Sequence, residues 1–425
     1  MKKTPHFHGN RWSKTLDPRG AVPTVRSLRQ AAHAESQAPA DADSSVTDPS
    51  PASPSARDPD SSKSATLHVT PGSARHRVTG DRLGDGPAQQ PGPQARPQAA
   101  PSRAAPVPHV SAMVGPPPIQ ADALAAIGNT PLVRLPRLMA ETGVRAEVLA
   151  KLDFMNPFGS AMDRVAMGLI DGAVQRGALA AGGAIVEACL SSAGLALAAI
   201  ATVRGYTLHL FMPDDTPESH QRLLQTYGVK ILLVPAALGL AGAIESARTE
   251  AERTGACFLD QYSSIDTAGA HQHTTAEELW SQTGGRINAI VSGIGTGGFL
   301  TGVGRLLKPR QPTLRVVGVE PANARVLRGE PSRPHALRGI GVGFRPESLN
   351  RSVVDEVLPV SDAEAEAWMT RAARTEGLVL GLASAAALKA AFDFAGRPEN
   401  AAKTVVVMLT ATAERDTVPF RTHTG

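Results

Sequence analysis

The feature that most constrains the fold of this 425-residue chain is a regular alternation of short apolar segments with segments of helical periodicity, beginning at Glu147. Short apolar runs are typical of buried strands, whereas apolar residues three or four apart indicate helices. The alternation predicts an α/β fold, with mostly parallel sheets and helices on both faces. The predicted strands are 148–152, 184–187, 208–212, 231–234, 289–292, 315–319 and 404–409, and the predicted helices are 160–177, 193–204, 217–227 (with Pro217 in its first turn) and 239–254.

Residues 1–118 differ from the rest of the chain in composition. They contain 19 of the 34 prolines and only two aromatic residues, Phe7 and Trp12. Because so few apolar side chains cannot offset the entropy lost on ordering, we predict a disordered, basic arm rich in Pro, Ser and Ala. Residues 119–425 are rich in Ala, Val, Leu, Ile and Gly, and they are long enough for one domain of two interleaved lobes.

Charge follows the same division, with 14 Lys and Arg against 9 Asp and Glu in the arm, and 29 against 30 in the rest. Balanced charge in the globular part argues against nucleic-acid binding. Cys189 and Cys257 form neither a disulfide framework nor a metal-binding spacing. The most apolar run, 185–203, contains Glu187 and suits a buried strand and helix better than a membrane span. We predict a cytoplasmic protein with no metal, nucleic-acid or membrane partner.

The composition of the arm is compatible with three roles. Its first forty residues are basic and poor in acids, and no apolar stretch follows Lys2 and Lys3, which argues against a Sec signal peptide. The prediction is a weakly constrained extension or linker. The alternatives are an organelle transit peptide and the export signal of a bacterial secreted effector.

A glycine-rich loop follows the predicted strand 289–292 and opens a helix. It reads Ser292-Gly293-Ile294-Gly295-Thr296-Gly297-Gly298. In open α/β sheets ligands bind beyond the carboxyl ends of strands, and closely spaced glycines let backbone N–H groups converge on an anion at a helix N-terminus. The loop predicts a phosphate site, and its structural alternative is a tight turn with close packing of helix on sheet.

A series of ordered motifs across 119–425 resembles the cysteine synthase family, which includes O-acetylserine sulfhydrylase and cystathionine β-synthase. The motifs are Ile127-Gly128-Asn129-Thr130-Pro131-Leu132-Val133-Arg134-Leu135, Ala150-Lys151-Leu152-Asp153, Asn156-Pro157-Phe158-Gly159-Ser160, Asp163-Arg164, Gln261-Tyr262, Thr274-Thr275 with Glu278 and Trp280, Gly295-Thr296-Gly297-Gly298, and Gly339-Ile340-Gly341 with Gly343-Phe344. The resemblance implies the tryptophan synthase β-like fold: two α/β lobes with pyridoxal phosphate (PLP) in the cleft between them, in a homodimer.

Members of this family carry out β-replacement on an amino acid, and the cofactor withdraws charge from the substrate while a lysine anchors it as a Schiff base and carries a proton. The family motif has this lysine directly before Asp163-Arg164, where this chain has Met162. Methionine cannot condense with an aldehyde or accept a proton. The resemblance therefore implies that no catalytic residue remains, that covalent PLP binding is lost, and that the chain binds PLP noncovalently or not at all.

Other positions that contact cofactor and substrate in the family also differ. In the family's substrate-carboxylate loop this chain has Cys189, Leu190, Ser191, Ser192 and Ala193, with Ser192 replacing an amide that contacts the cofactor. The glycine loop is followed by Phe299, which replaces a phosphate-binding threonine. The remaining cofactor and substrate positions carried over by resemblance are Gly295, Thr296, Gly297, Gly298, Thr412 (facing the pyridine nitrogen) and Gln261 (on the substrate carboxylate).

Other lysines, a cysteine and two histidines are the candidates to replace the missing lysine. Lys151 lies on the strand before the loop, where the family also has a lysine; the other lysines of 119–425, which are Lys230, Lys308, Lys389 and Lys403, are predicted to be solvated at the ends of elements. Cys189 lacks a neighbouring base and is predicted to be a small buried residue. His271 and His273 do not share a helical face and are predicted to be solvent-exposed or capping residues.

The sequence thus predicts a cysteine synthase-like pseudoenzyme that acts by binding. Its expected partners are a small amino-acid or phosphate-bearing ligand, or a protein such as the serine acetyltransferase tail that enters the cleft in this family. The alternative is a PLP-dependent β-replacement enzyme of cysteine biosynthesis with impaired or unusual cofactor attachment. A third possibility is a different, lysine-free chemistry in the same cleft.

Overall fold

A computed structural model describes residues 119–190 and 192–415. Its first sheet has six strands: β1 (Leu132–Arg134), β2 (Glu147–Leu152), β7 (Ala289–Gly293), β8 (Arg315–Pro321), β9 (Glu356–Val360) and β10 (Thr404–Leu409). Their spatial order is β1-β2-β10-β7-β8-β9, with every neighbouring pair parallel except β1 and β2.

The second sheet has four parallel strands. They are β3 (Ala184–Ala188), β4 (Thr207–Pro213), β5 (Lys230–Val234) and β6 (Cys257–Phe258), in the order β5-β4-β3-β6. The chain enters this sheet after β2 and returns to the first sheet with β7, so one lobe is inserted into the other. Because all its strands are parallel, each needs a crossover helix.

Ten α-helices cover these sheets in the described part of the chain. They are α1 (Pro136–Thr142), α2 (Met162–Gln175), α3 (Ser192–Arg204), α4 (Glu218–Gln225), α5 (Gly239–Thr254), α6 (Ile265–His273), α7 (Thr275–Thr283), α8 (Gly298–Arg310), α9 (Asp362–Glu376) and α10 (Leu382–Ala395). Helix α10 is enclosed by the first sheet and α9, which explains why its sequence is almost entirely Ala, Leu and Phe.

Both faces of each sheet carry a hydrophobic core, which is the arrangement that apolar, non-alternating strands require. In the first sheet, Val405 and Val407 pack toward α10, whereas Val406 and Met408 pack toward α8. In the second sheet, Ile185 packs toward α2 and α3, and Val186 packs toward α5. The two-lobed, three-layer α/β/α architecture expected from the sequence is therefore confirmed.

The eleven predicted strands and helices are confirmed within two residues at most of their ends. One detail is wrong: Pro217 is the residue that caps α4, and the helix itself begins at Glu218. Several further elements carried no clear sequence pattern, among them the three-residue antiparallel edge strand β1 and the two-residue strand β6. These strands are too short for a periodicity to show.

The predicted disordered arm, 1–118, and its proposed targeting roles lie outside the described residues, as does Ser191. Within the described ranges, no helix combines the length and the apolar character needed to cross a membrane. In the same residues no group of three or more His, Cys, Asp or Glu side chains is arranged to hold a metal ion.

Candidate functional site

A cavity of about 110 Å³ lies where the carboxyl ends of strands from both lobes meet helix N-termini. This volume is several times the roughly 10–15 Å³ that a single water needs, so a small molecule fits. The first lobe contributes the glycine loop, defined as residues 293–298, the end of β10 and the start of α10. The second lobe contributes the loop between β3 and α3 and the segment that leads into α2.

Two backbone N–H groups of the glycine loop, at residues that line the cavity, have no acceptor among the described residues. Ile294 O accepts the Gly341 N–H at 3.1 Å, and Thr296 O accepts the Ser348 hydroxyl at 2.6 Å. Because a trans peptide points its N–H opposite to its C=O, the N–H groups of Gly295 and Gly297 point away from these partners. Neither has an acceptor among the described residues. The loop therefore has the character of an anion site at the N-terminus of α8.

Close packing forces glycine at two loop positions. A Cβ on Gly295 would lie 2.2 Å from Gly339 O, which is backbone and cannot give way. Gly297 has φ +79° and a Cβ there would lie 2.6 Å from Leu349 Cβ. Gly298 packs against Thr267 and does not line the cavity. The loop is therefore also a tight turn with close packing, as the structural alternative predicted. Close packing at these glycines leaves the N–H groups of Gly295 and Gly297 available, so both interpretations hold.

Met162 is the first residue of α2 and lines the cavity. The segment before it is fixed to the end of β10, since Ser160 pairs with Ala411 and the Ala161 N–H donates to Thr410 O at 3.0 Å. The position that the family resemblance assigns to the anchoring lysine therefore faces the cavity. No lysine is present among the described residues that line it.

Lys151 is occupied elsewhere. Its Nζ donates to Thr130 O at 2.7 Å, to Glu278 Oε2 at 2.6 Å and to Gln282 Oε1 at 3.0 Å. The side chain is 0% exposed. Burial lowers the pKa of Lys151, and the Glu278 carboxylate opposes this change. A lysine with all three donors engaged has no free amine to offer a ligand.

The prediction that the other four lysines lie at the ends of elements is wrong for Lys389. This lysine lies in the middle of α10 and pairs there with Glu364 and Asp393.

The loop between β3 and α3 presents Leu190, Ser192 and Ala193 to the cavity. Cys189 does not line it: its thiol lies against Gly194, whose Cβ would lie 2.6 Å from Sγ. Burial raises the pKa of Cys189 to about 12, so the sulfur stays a neutral thiol. The interpretation of Cys189 as a small buried residue agrees with this environment.

Gln261 also lines the cavity and is tied to the same loop. Its Nε2 donates to Ala188 O at 2.8 Å, and its backbone N–H donates to Glu187 Oε2 at 3.2 Å. The Glu187 side chain is fully buried, and this burial raises its pKa to about 8, although the N–H groups of Ala188 and Gln261 oppose the shift. Near neutral pH this carboxyl is mostly protonated.

The prediction that His271 is a solvent or capping residue is wrong. His271 is 3% exposed, lines the cavity, and its Nδ1 lies 2.8 Å from Thr275 Oγ1. Phe299 packs edge-on against its ring, with centroids 5.5 Å apart. Burial lowers the pKa of His271 to about 4, so the imidazole is neutral at pH 7. His273, two residues on, is exposed as predicted.

The hydroxyl groups at the end of β10 differ from the expected ones. Thr412 pairs with Leu380 and does not line the cavity, whereas Thr410 does. Ser384 of α10 adds a second hydroxyl and accepts the N–H groups of Thr410 and Ala411 at 3.0 and 3.1 Å. Ser384 was missed because it lies in a helix made almost entirely of Ala, Leu and Phe, where a single serine gives no signal.

Arg338 is the second residue that sequence reasoning missed. It lines the cavity within the Gly339-Ile340-Gly341 segment. The sequence signal that could have identified Arg338 is its place as a single charged residue between the apolar Leu337 and the glycine-rich motif that follows.

The residues of the cavity meet one requirement of PLP and fail another. The glycine loop suits a phosphate group, because its N–H groups are available and it opens a helix. The covalent attachment does not fit, because Met162 faces the cavity and no described lining residue has an amine. The site therefore matches a phosphate-bearing ligand but does not match a cofactor anchored through lysine.

The fold and the cavity define a class of protein: two α/β lobes with a glycine-rich anion site between them. The family model described as pyridoxal-phosphate dependent enzyme matches residues 123–411, and the chain belongs to this family.

Within that family the chain is similar to cysteine synthases. It is 35% identical over 291 residues to cysteine synthase 3 of Caenorhabditis elegans, covering 68% of this chain and 86% of the relative. It is equally identical over 290 residues to a Staphylococcus aureus cysteine synthase, of which 93% is covered.

Solved structures support the same relationship. O-ureido-L-serine synthase matches with a TM-score of 0.69 and 34% identity, over 72% of this chain and 98% of the other. The Entamoeba histolytica cysteine synthase matches with a TM-score of 0.69 and 30% identity, over 72% and 91%. These findings confirm the family resemblance drawn from the sequence.

Proposed function

We propose that this chain is a non-catalytic member of the cysteine synthase-like family, a pseudoenzyme that binds a small ligand or a protein partner in the cavity between its lobes. The observation that carries the proposal is Met162 at the N-terminus of α2, facing a cavity whose described lining contains no lysine. β-Replacement with this cofactor needs a neutral amine at that place, and a thioether cannot replace it.

The surrounding residues support the proposal. Phe299 brings an aromatic ring to the glycine loop, Leu190 and Ala193 bring apolar groups to the loop after β3, and His271 is neutral with its Nδ1 bound by Thr275. The scaffold around them is intact, including the Gln261 contacts and the buried ion pairs of Arg164. The differences from the family's motifs are concentrated at the cavity, whereas the fold around it is well packed. This contrast favours a protein that has lost the family's chemistry and kept the ability to bind a ligand.

Ligand binding by this fold does not depend on every lysine. A lysine-to-alanine mutant of O-ureido-L-serine synthase was solved with O-ureido-L-serine bound, and its structure matches this chain with a TM-score of 0.66 and 36% identity. We extend this behaviour to the present chain and expect an amino-acid or phosphate-bearing ligand. A protein tail such as that of serine acetyltransferase is the alternative occupant, and a homodimer is the expected assembly.

The test is the visible absorption spectrum of the full chain after incubation with excess PLP and desalting, beside Met162→Lys. The unmodified chain is expected to show no band of lysine-bound cofactor, whereas Met162→Lys is expected to gain one because the glycine loop remains open to phosphate. The matched control is Met155→Lys, which adds a lysine at an exposed methionine outside the cavity.

A cofactor band in the unmodified chain that survives desalting would contradict the proposal, since it would show that another lysine of the chain anchors the cofactor. A band in Met155→Lys of the same size as in Met162→Lys would show that the added lysine reacts nonspecifically. No band in any variant would indicate that the cavity has lost affinity for this cofactor and would favour the protein partner.

The second candidate is a β-replacement enzyme of cysteine biosynthesis with unusual cofactor attachment. The N–H groups of Gly295 and Gly297 favour it, because they remain available to a phosphate. Its test is turnover of O-acetylserine with sulfide by the purified chain. Turnover that is lost in Gln261→Ala and kept in the exposed variant Gln225→Ala would establish the enzyme.

A further inference from the structure

We propose that the cavity binds a small organic anion with two acidic groups, one held by the N–H groups of the glycine loop and the other by the guanidinium of Arg338. The inference rests on the proposed function, because it names the class of ligand that a non-catalytic cavity would take.

The cavity lining carries a single unpaired positive charge. Arg338 is the one charged side chain among the described residues that line the cavity, and no Asp or Glu lines it. No described residue forms an ion pair or a side-chain hydrogen bond with this guanidinium. The planar guanidinium offers five donors in a fixed arrangement that fits a carboxylate or a phosphate. Because these donors have no partner among the described residues and the side chain lines the cavity, an acidic group of a ligand can accept from them.

The neighbouring titratable groups leave this positive charge uncompensated. Glu187, behind Gln261, is mostly protonated near pH 7 because burial raises its pKa to about 8. Cys189 is a neutral thiol, because burial raises its pKa to about 12. Burial lowers the pKa of His271 to about 4, so it is neutral as well. The cavity is therefore positive at neutral pH and favours an anion.

Arg338 and the glycine loop are held on one wall of the cavity. Leu337 and Ile340, on either side, are 0% and 6% exposed, which fixes the segment. The Gly341 N–H donates to Ile294 O, and Gly339 O packs directly against Gly295. A ligand bound at the loop N–H groups is thus next to the segment that carries the guanidinium.

The rest of the lining suits a ligand with polar atoms between two acidic groups. The His271 side chain is buried, with only 3% of its surface exposed. Its Nδ1 is hydrogen-bonded to Thr275, whereas its Nε2 has no hydrogen-bond partner among the described residues. Ser384 and Thr410 add hydroxyl groups. A phosphate is suited to the loop, because N–H groups at a helix N-terminus favour it, and a carboxylate is suited to the two-pronged guanidinium.

Isothermal titration of the full chain without PLP tests the proposal with two probes that differ by one acidic group. 3-Phosphoglycerate carries a phosphate and a carboxylate, whereas glycerol 3-phosphate carries only the phosphate. The unmodified chain is expected to bind 3-phosphoglycerate about tenfold more tightly, which corresponds to about 1.4 kcal/mol. Arg338→Gln is expected to remove this preference, and Arg338→Lys is expected to keep part of it.

Arg305→Gln is the matched control, because Arg305 is an exposed arginine of α8 that does not line the cavity. It should bind both probes as the unmodified chain does. Equal affinity for both probes in the unmodified chain, an undiminished preference in Arg338→Gln, or no binding of either probe would each overturn the inference. Turnover of O-acetylserine and sulfide would overturn the proposed function alone, because the titration contains no substrate or cofactor.

Discussion

At the scale of single residues, the folded state depends on a buried cluster of charges beneath the cavity. Arg164 bonds Asp153 at 2.9 Å and Glu278 at 2.6 Å, and neither Arg164 nor Asp153 is exposed. Burial by itself would raise the pKa of Glu278, but Arg164 and Lys151 outweigh it and lower that pKa to about 2. The cluster ties the start of α2 to α7 and thereby fixes the entrance to the Met162 helix.

We predict that Arg164→Gln lowers the free energy of unfolding by about 3–5 kcal/mol, because it leaves the Asp153 carboxylate buried without its partner. Urea denaturation followed by circular dichroism measures this change. The control is Arg310→Gln, which removes a pair with Glu277 whose side chains are 34% and 49% exposed. Its expected loss is below about 1 kcal/mol, and equal losses in both variants would contradict the role of burial.

Glu187 makes stability depend on pH in a particular direction. Its pKa is about 8 in the folded chain, against an ordinary value of 4.5, so the folded state binds the proton more tightly. Its contribution is fully present below about pH 4.5 and is lost as pH rises toward 8. His271 acts in the opposite sense, because its lowered pKa of about 4 makes stability fall as pH drops from 6.5.

Glutamine imitates the protonated carboxyl and does not titrate. We therefore predict that, in Glu187→Gln, the free energy of unfolding falls less as pH rises from 5 to 8 than it does in the unmodified chain. The informative quantity is the difference in urea midpoint between variant and unmodified chain at pH 5, 6.5 and 8, since the His271 contribution cancels in it. This difference should favour the variant progressively as pH rises. A difference that does not change with pH would show that Glu187 is ionised in the folded chain.

At the scale of elements, α6 and α8 pack closely because glycine lets their backbones approach. A Cβ on Gly302 of α8 would lie 2.2 Å from Ala268 O of α6 and 2.7 Å from the Gln272 N–H nitrogen. This contact holds α6 so that His271 faces the cavity and meets Phe299.

We predict that Gly302→Ala destabilises the fold by about 1–3 kcal/mol, because the added methyl group overpacks a backbone contact. Gly269→Ala is the matched control: it lies on α6 with nothing within 4 Å of its Cβ position. Alanine there should stabilise the helix by about 0.5–1 kcal/mol. Thermal unfolding of both variants measures the two effects, and a shift of the same sign in both would contradict the packing argument.

At the scale of the whole molecule, the described residues between 119 and 415 contain both sheets, ten packed helices and 24 residues that line the cavity. Each core cluster consists of residues between 124 and 409. We predict that residues 119–425 expressed alone unfold at the same urea midpoint as the full chain and bind the same ligands. A lower midpoint for the shorter chain would show that residues 1–118 stabilise the fold, and would contradict the domain boundary predicted from composition.

The sequence by itself determined the order and position of most strands and helices, because their apolar residues recur at spacings that depend only on local backbone geometry. It also determined the chemistry of the key position, since no environment turns Met162 into an amine. The place of the cavity followed from the same pattern, because the carboxyl ends of parallel strands meet at one edge of a sheet.

Only the tertiary structure decided which side chains share the cavity. His271 is buried because Phe299 and Thr275 enclose it, and Thr410 lines the cavity in place of Thr412 because Ser160, far away in sequence, pairs with Ala411. Arg338 lines the cavity next to the glycine loop because Gly339, the residue after it, packs on Gly295. Such contacts join segments that are distant in the chain, and the physical reason they escape sequence patterns is that local periodicity carries no information about which segments meet.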